Sequence, residues 1–158
     1  MHPLLQLAQQ RILFLDGAMG TMLQKKGLQA GESPELWNLT HPSLVQAIHQ
    51  EYMDAGADII NTNTFGGNGL KLLEYHLQDK LKEINGAGVR LAKEVAKKAS
   101  RKVFVAASIG PVGQFLQPLG PLSFDELSNL YQEQIEALIS AGADILNFET
   151  MIDLAELR

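Results

Sequence analysis

One ten-residue phrase occurs twice in this chain. Ala55-Gly56-Ala57-Asp58-Ile59-Ile60-Asn61-Thr62-Asn63-Thr64 returns as Ala141-Gly142-Ala143-Asp144-Ile145-Leu146-Asn147-Phe148-Glu149-Thr150. In each copy a glycine closes a helical pattern, one acidic residue follows, and an apolar run of strand length ends in polar side chains. Glycine can take the left-handed conformation that ends a helix without a Cβ penalty. The phrase therefore predicts a helix turning into a strand with polar chemistry at its C-terminal tip. Two copies about two βα units apart predict a βα-repeat protein.

Two further apolar runs have the length and continuity of strands buried on both faces, as in a parallel sheet. Ile12-Leu13-Phe14-Leu15 is stopped by Asp16-Gly17, and Val103 to Ala107 is tipped by Ser108. The four predicted strands lie near residues 12–16, 58–64, 103–108 and 144–149. Between them, Leu44, Val45, Ile48 and Tyr52 share one helical face that begins at Pro42 and ends at Gly56. A second helix is expected from about Asp79 to Ala99, its lysines and arginine on a solvated face. Ser123 and Glu126 have capping-box form at the head of a third helix, which runs to Gly142. Met151 to Arg158 reads as the start of a fourth, and residues 26–41 as a long loop.

Strict β-then-α alternation gives a parallel sheet with right-handed crossovers. A doubly wound sheet fits it, and so does part of an eight-fold barrel, of which 158 residues would be roughly half. In both, the tips Asp16, Thr62, Asn63, Thr64, Ser108 and Glu149 gather on the rim where ligands bind.

Composition removes several functions. The net charge of −5 argues against a nucleic-acid partner. Cysteine is absent, which excludes disulfides, a thiol nucleophile and a thiolate metal site within these residues. No run approaches the roughly 18 apolar residues of a membrane span, and Met1 to Gln10 lacks signal-peptide form, so a cytoplasmic location is expected. The glycines of Phe65-Gly66-Gly67-Asn68-Gly69 lack the P-loop ending and the dinucleotide spacing. Gly110-Pro111-Val112-Gly113 could hold a carboxylate on its backbone N–H groups or be a plain turn. The four histidines, His2, His41, His49 and His76, read as structural. Asp16 and Glu149 could serve acid–base chemistry or grip a cationic group such as an α-ammonium. With no Ser–His–Asp set and no His/Glu metal cluster, the rim reads as a binding surface.

Four motifs in order resemble the homocysteine S-methyltransferase family. They are Leu15-Asp16-Gly17-Ala18-Met19-Gly20-Thr21, Ala55 to Phe65, Ser108-Ile109-Gly110-Pro111-Val112-Gly113, and Phe148-Glu149-Thr150. The likeness is greatest to the N-terminal homocysteine-binding module of the cobalamin-dependent methionine synthases. It implies the N-terminal half of a (β/α)8 TIM barrel, and a chain that is a piece of a longer protein. It also implies that Asp16, Gly17 and Glu149 hold the amino-acid end of homocysteine, with Thr62 as a further substrate contact; Ser108 is added to these by its place on the rim. The family activates the homocysteine sulfur with zinc held by three cysteines of the later half. This chain has none, so the resemblance implies no metal ligands here and no activity alone. Cobalamin and methyltetrahydrofolate would belong to other domains, and the methyl donor is not specified. Open strand edges would drive self-association. The rival expectation is a stand-alone, non-catalytic half barrel that binds an amino acid or a partner chain.

Overall fold

The computed structural model describes residues 2–158. In chain order it contains helices α1 (Pro3–Ala8), α2 (Met19–Lys25), α3 (Trp37–Thr40) and α4 (Pro42–Asp54), then strand β1 (Ile59–Asn61). Helices α5 (Gly69–Leu73) and α6 (Leu81–Ala96) precede β2 (Phe104–Ile109), and α7 (Phe124–Ser140) precedes β3 (Ile145–Phe148). Short 3-10 turns occupy Gln78–Lys80 and Leu154–Leu157.

The strands run parallel in the order β1-β2-β3, with Ile59 opposite Phe104 and Ala106 opposite Ile145. Residues 14–16 lie along the free side of β1, bridged at Leu15–Ile59. Each strand thus neighbours its predecessor. A doubly wound sheet reverses its order near the middle, whereas a barrel keeps it sequential. The architecture is an α/β half barrel.

Both copies of the repeated phrase do the same physical work. Gly56 (φ 105°) and Gly142 (φ 92°) end α4 and α7 in the left-handed region. Asp58 then accepts the Phe14 N–H at 3.1 Å, and Asp144 accepts the Val105 N–H at 2.8 Å, each reaching the preceding strand. Each acid is also paired with a cation, Asp58 with Arg11 at 2.7 Å and Asp144 with Lys93 at 2.6 Å. The Arg11 hydrogen bond holds the Asp58 carboxyl below the usual carboxylate range. These acids stand at strand N-termini, away from the polar tips, and fasten strand to strand.

The core lies between the sheet and α4, α6 and α7. Met53, Ala92 and Val95 pack on Ile60, Val103 and Val105; Val89, Leu127, Tyr131 and Leu138 pack on Ala107 and Ile109. All six residues of β2 are buried, as a central parallel strand requires. Ser123 and Glu126 close the predicted capping box on α7.

Three expectations are corrected. Residues 12–16 form an extended segment with one bridge rather than a regular strand buried on both faces, and Ile12 and Phe14 are exposed. The physical reason is local: the Asn61 N–H, which would continue the ladder to a main-chain carbonyl, goes instead to Asp16 Oδ2 at 2.8 Å. The fourth helix is a single 3-10 turn at Leu154–Leu157. The long loop holds a helical turn, α3, that buries Trp37 and Asn38.

Candidate functional site

Side chains alternate across a strand, so the register places Asn61, Ala106, Ser108 and Asn147 on the sheet face away from the helices. At the C-terminal end of that face a cleft of about 490 Å³ opens. Its lining includes Asp16, Gly17, Thr62, Ser108 and Glu149, so all five predicted contacts converge on one cavity. No lysine, arginine or histidine lines it.

The Asp16 carboxylate is held chiefly by Asn61: Oδ2 accepts the main-chain N–H at 2.8 Å and Oδ1 accepts Nδ2 at 3.1 Å. Burial pushes this carboxyl up to about 7, against the two Asn61 bonds, and the nearby Glu149 charge adds to the rise. Glu149 accepts a short hydrogen bond from the Ser108 hydroxyl. The residue after it, Thr150, has φ 62°, an uncommon conformation for a β-branched side chain and one that concentrates at functional sites.

Gly17 lets Tyr52 come close: a Cβ would lie 2.9 Å from Tyr52 Oη, which itself donates to Ala18 O at 3.0 Å, so a larger residue would displace that phenol. The N–H groups of Gly17 and Ala18 have no partner among the described residues, and Ala18 supplies no side-chain cap to α2. The cleft is thus lined by acids and by two residues with unpartnered N–H groups, a set that suits a zwitterionic amino-acid group.

Thr62 and Thr64 are mainly structural. Thr64 Oγ1 donates to Ser108 O at 2.8 Å, so the 2.6 Å contact between the two hydroxyls takes the Thr62 proton, and Thr62 Oγ1 accepts the Ser108 N–H. Glu35 is an acid of the cleft wall that sequence reading missed. Its Oε1 accepts the Gly66 N–H at 2.8 Å and its Oε2 the Ser33 hydroxyl at 3.1 Å, tying the long loop to the β1 tip. That bond also uses one N–H of the glycine run, while the Gly67 N–H donates to Thr64 O, so neither is free for a phosphate. Behind it, Asn38, Asn63, Asn85 and Gln134 form a buried amide network; Asn85 donates to Gly67 O at 2.8 Å and Gln134 to Thr64 O at 2.9 Å. The Gly110–Gly113 loop does hold a carboxylate, that of this chain's own Glu156, through the Val112 N–H at 2.8 Å.

Among the described residues no group of three or more His, Cys, Asp or Glu could hold a metal, and the sequence contains no cysteine. These residues do not fit a thiolate zinc site.

The family model described as homocysteine S-methyltransferase matches residues 13–158. Methionine synthases of Mycobacterium tuberculosis and Mycobacterium leprae are each 35% identical to the chain over 164 aligned residues. The match takes in 98% of this chain but 14% of either relative. The metallated form of the homocysteine methyltransferase MmuM from Escherichia coli superposes with a TM-score of 0.85 at 27% identity, over 98% of this chain and 59% of that one. The apo form of that enzyme gives 0.71 at 29% identity.

Proposed function

The chain belongs to the homocysteine S-methyltransferase family, and from that premise we propose that it is the homocysteine-binding half of a barrel that methylates the homocysteine sulfur to give methionine. The observation that carries the proposal is the convergence of Asp16, Glu149 and the unpartnered Gly17 and Ala18 N–H groups in one cleft. The two carboxylates take the α-ammonium, and the N–H groups take the α-carboxylate. Ser108 holds Glu149 in place, and Thr62 closes the wall behind them.

A thiol is mostly protonated at neutral pH, its pKa being about 8.5, and only the thiolate attacks well. Nothing in this cysteine-free chain supplies that activation. Zinc activation belongs to a later half of the barrel, and methyl delivery, through cobalamin and methyltetrahydrofolate in the methionine synthase case, to further domains. The chain spans 14% of its curated relatives, which leaves room for all of these. Cytoplasmic residence is part of the same proposal. Among the described residues no helix is long and apolar enough to cross a membrane.

The open edges belong to the proposal too. Ile12, Phe14 and Leu15 at one edge, and Phe148, Ile152 and Leu154 near the other, are exposed. In isolation these surfaces drive self-association, so light scattering gives a species larger than 17.3 kDa. A monodisperse monomer contradicts that. A methyl-transfer assay tests the division of labour: the pure chain forms no methionine from homocysteine with any donor, and turnover by it overturns the reading.

A further inference from the structure

Asp16 is aimed by residues from two other strands. Asn61 on β1 supplies a donor to each of its carboxylate oxygens. An amide side chain can do this in only one of its two orientations, since the flipped form presents oxygen where nitrogen stood. That orientation is matched by Asn147 on β3, whose Nδ2 donates to Asn61 Oδ1 at 3.1 Å. β1 and β3 are not neighbours. They are separated by β2, a span of roughly 9.5 Å between strand axes. The two amides meet across it where β2 presents Ala106, the register partner of Asn61 and a side chain too small to intervene.

We propose that Asn61 and Asn147 are positioning residues for Asp16: the relay Asn147→Asn61→Asp16 fixes the carboxylate toward the cleft and favours the ionised form that an ammonium requires. The inference rests on the reading of Asp16 as the ammonium contact. The groups facing Asp16 leave this task to the amides. Glu149 at the end of β3 and Glu35 on the loop are both acidic. Tyr52 on α4 is a phenol that burial, and then the Asp16 charge, push up. No cationic side chain lines the cleft. Burial works against ionisation, and the two Asn61 bonds oppose it. Without Asn147 the Asn61 amide is free to turn, and its oxygen then faces the carboxylate and stabilises the protonated acid.

The test is the titration of the Asp16 carboxyl by ¹³C NMR in the unliganded protein, with homocysteine affinity measured against pH by calorimetry, for the parent chain, N61A and N147A. Losing one hydrogen bond to an ionised acceptor moves the Asp16 midpoint up by about one pH unit in N61A. A smaller shift in the same direction follows in N147A. Homocysteine affinity falls by about fivefold at pH 7 in N61A, as the ionised fraction drops, and recovers as pH rises past the new midpoint. An Asp16 midpoint unchanged in N147A, with affinity lowered equally at every pH, overturns the relay and leaves the amides a purely structural role. If N61A fails to fold, N147A decides alone, because it leaves both residues that touch directly in place. If the parent chain takes up no homocysteine, the proposed function fails, while the Asp16 midpoints still decide the relay.

Discussion

The Ser108 hydroxyl donates to Glu149 Oε1, linking the tip of β2 to the residue that follows β3. One of the two acids assigned to the ammonium is therefore oriented by its neighbouring strand before any ligand arrives. A hydrogen bond to a charged acceptor is worth about 1.5 kcal/mol or more. Ser108→Ala should weaken homocysteine binding about tenfold, and Glu149→Gln, which removes the charge itself, should weaken it at least as much. Calorimetric titration of both variants checks the order; a Ser108→Ala chain that binds as the parent does would show that the bond is idle.

Asp16 makes binding a proton-linked event. Its carboxyl titrates at about 7 in the free protein because burial disfavours the charge, whereas the ammonium-bound form needs the carboxylate. Below pH 7 each bound homocysteine should displace a proton, so affinity rises with pH up to about 7 and levels off above. The free protein runs the other way. A raised carboxyl pKa contributes stability at low pH, and that contribution disappears as pH rises through 7. Calorimetry at pH 6 in two buffers of different ionisation enthalpy counts the released proton. Identical heats in the two buffers would contradict it.

His49 predicts an acid limit to stability. It is fully buried on α4, and neither ring nitrogen has a hydrogen-bond partner among the described residues. Burial lowers its pKa to about 4, against 6.5 for the free side chain. The unfolded chain therefore takes up a proton first. Stability from this site is complete above about pH 6.5 and is lost as pH falls toward 4, by about 3 kcal/mol at most. Urea unfolding at pH 7.5 and pH 5 measures the difference, and His49→Leu should remove most of it. An equal pH dependence in that variant would assign the loss to other groups.

Gly88 allows α6 to approach the β1 tip. A Cβ there would lie 2.7 Å from Thr64 Cγ2 and 2.8 Å from Asn38 Nδ2, both on buried side chains. Gly88→Ala should cost about 2 kcal/mol, with the helix-propensity gain of alanine too small to offset it. Chemical denaturation gives the value, and an unchanged or raised midpoint would mean that the network behind the cleft yields easily.

Much of the fold was legible because its signals are local. The glycine-acid-apolar phrase marks helix end, strand start and strand tip within ten residues, and both copies behave alike in the structure. The α7 capping box is equally local. Asn61 and Asn147 were hidden for the opposite reason. They lie 86 residues apart, and only register across β2 brings them together. Glu35, Asn38, Asn85 and Gln134 were illegible in the same way: a buried polar residue has no periodic signature, and its partners come from distant loops. Residues 12–16 misled because an apolar run predicts burial only where both sides of the strand are covered, and here β1 covers one.

The most direct measurement is calorimetric titration of the chain, without added metal, with homocysteine, with homoserine and with the amine lacking the α-carboxylate. If this chain reads the amino-acid end alone, homocysteine and homoserine should bind within about threefold of each other, since only the unread terminal atom differs, and the decarboxylated amine should bind at least tenfold more weakly. Homocysteine binding far tighter than homoserine would mean that this chain also grips the sulfur. No uptake of either amino acid would contradict the assignment of the cleft itself.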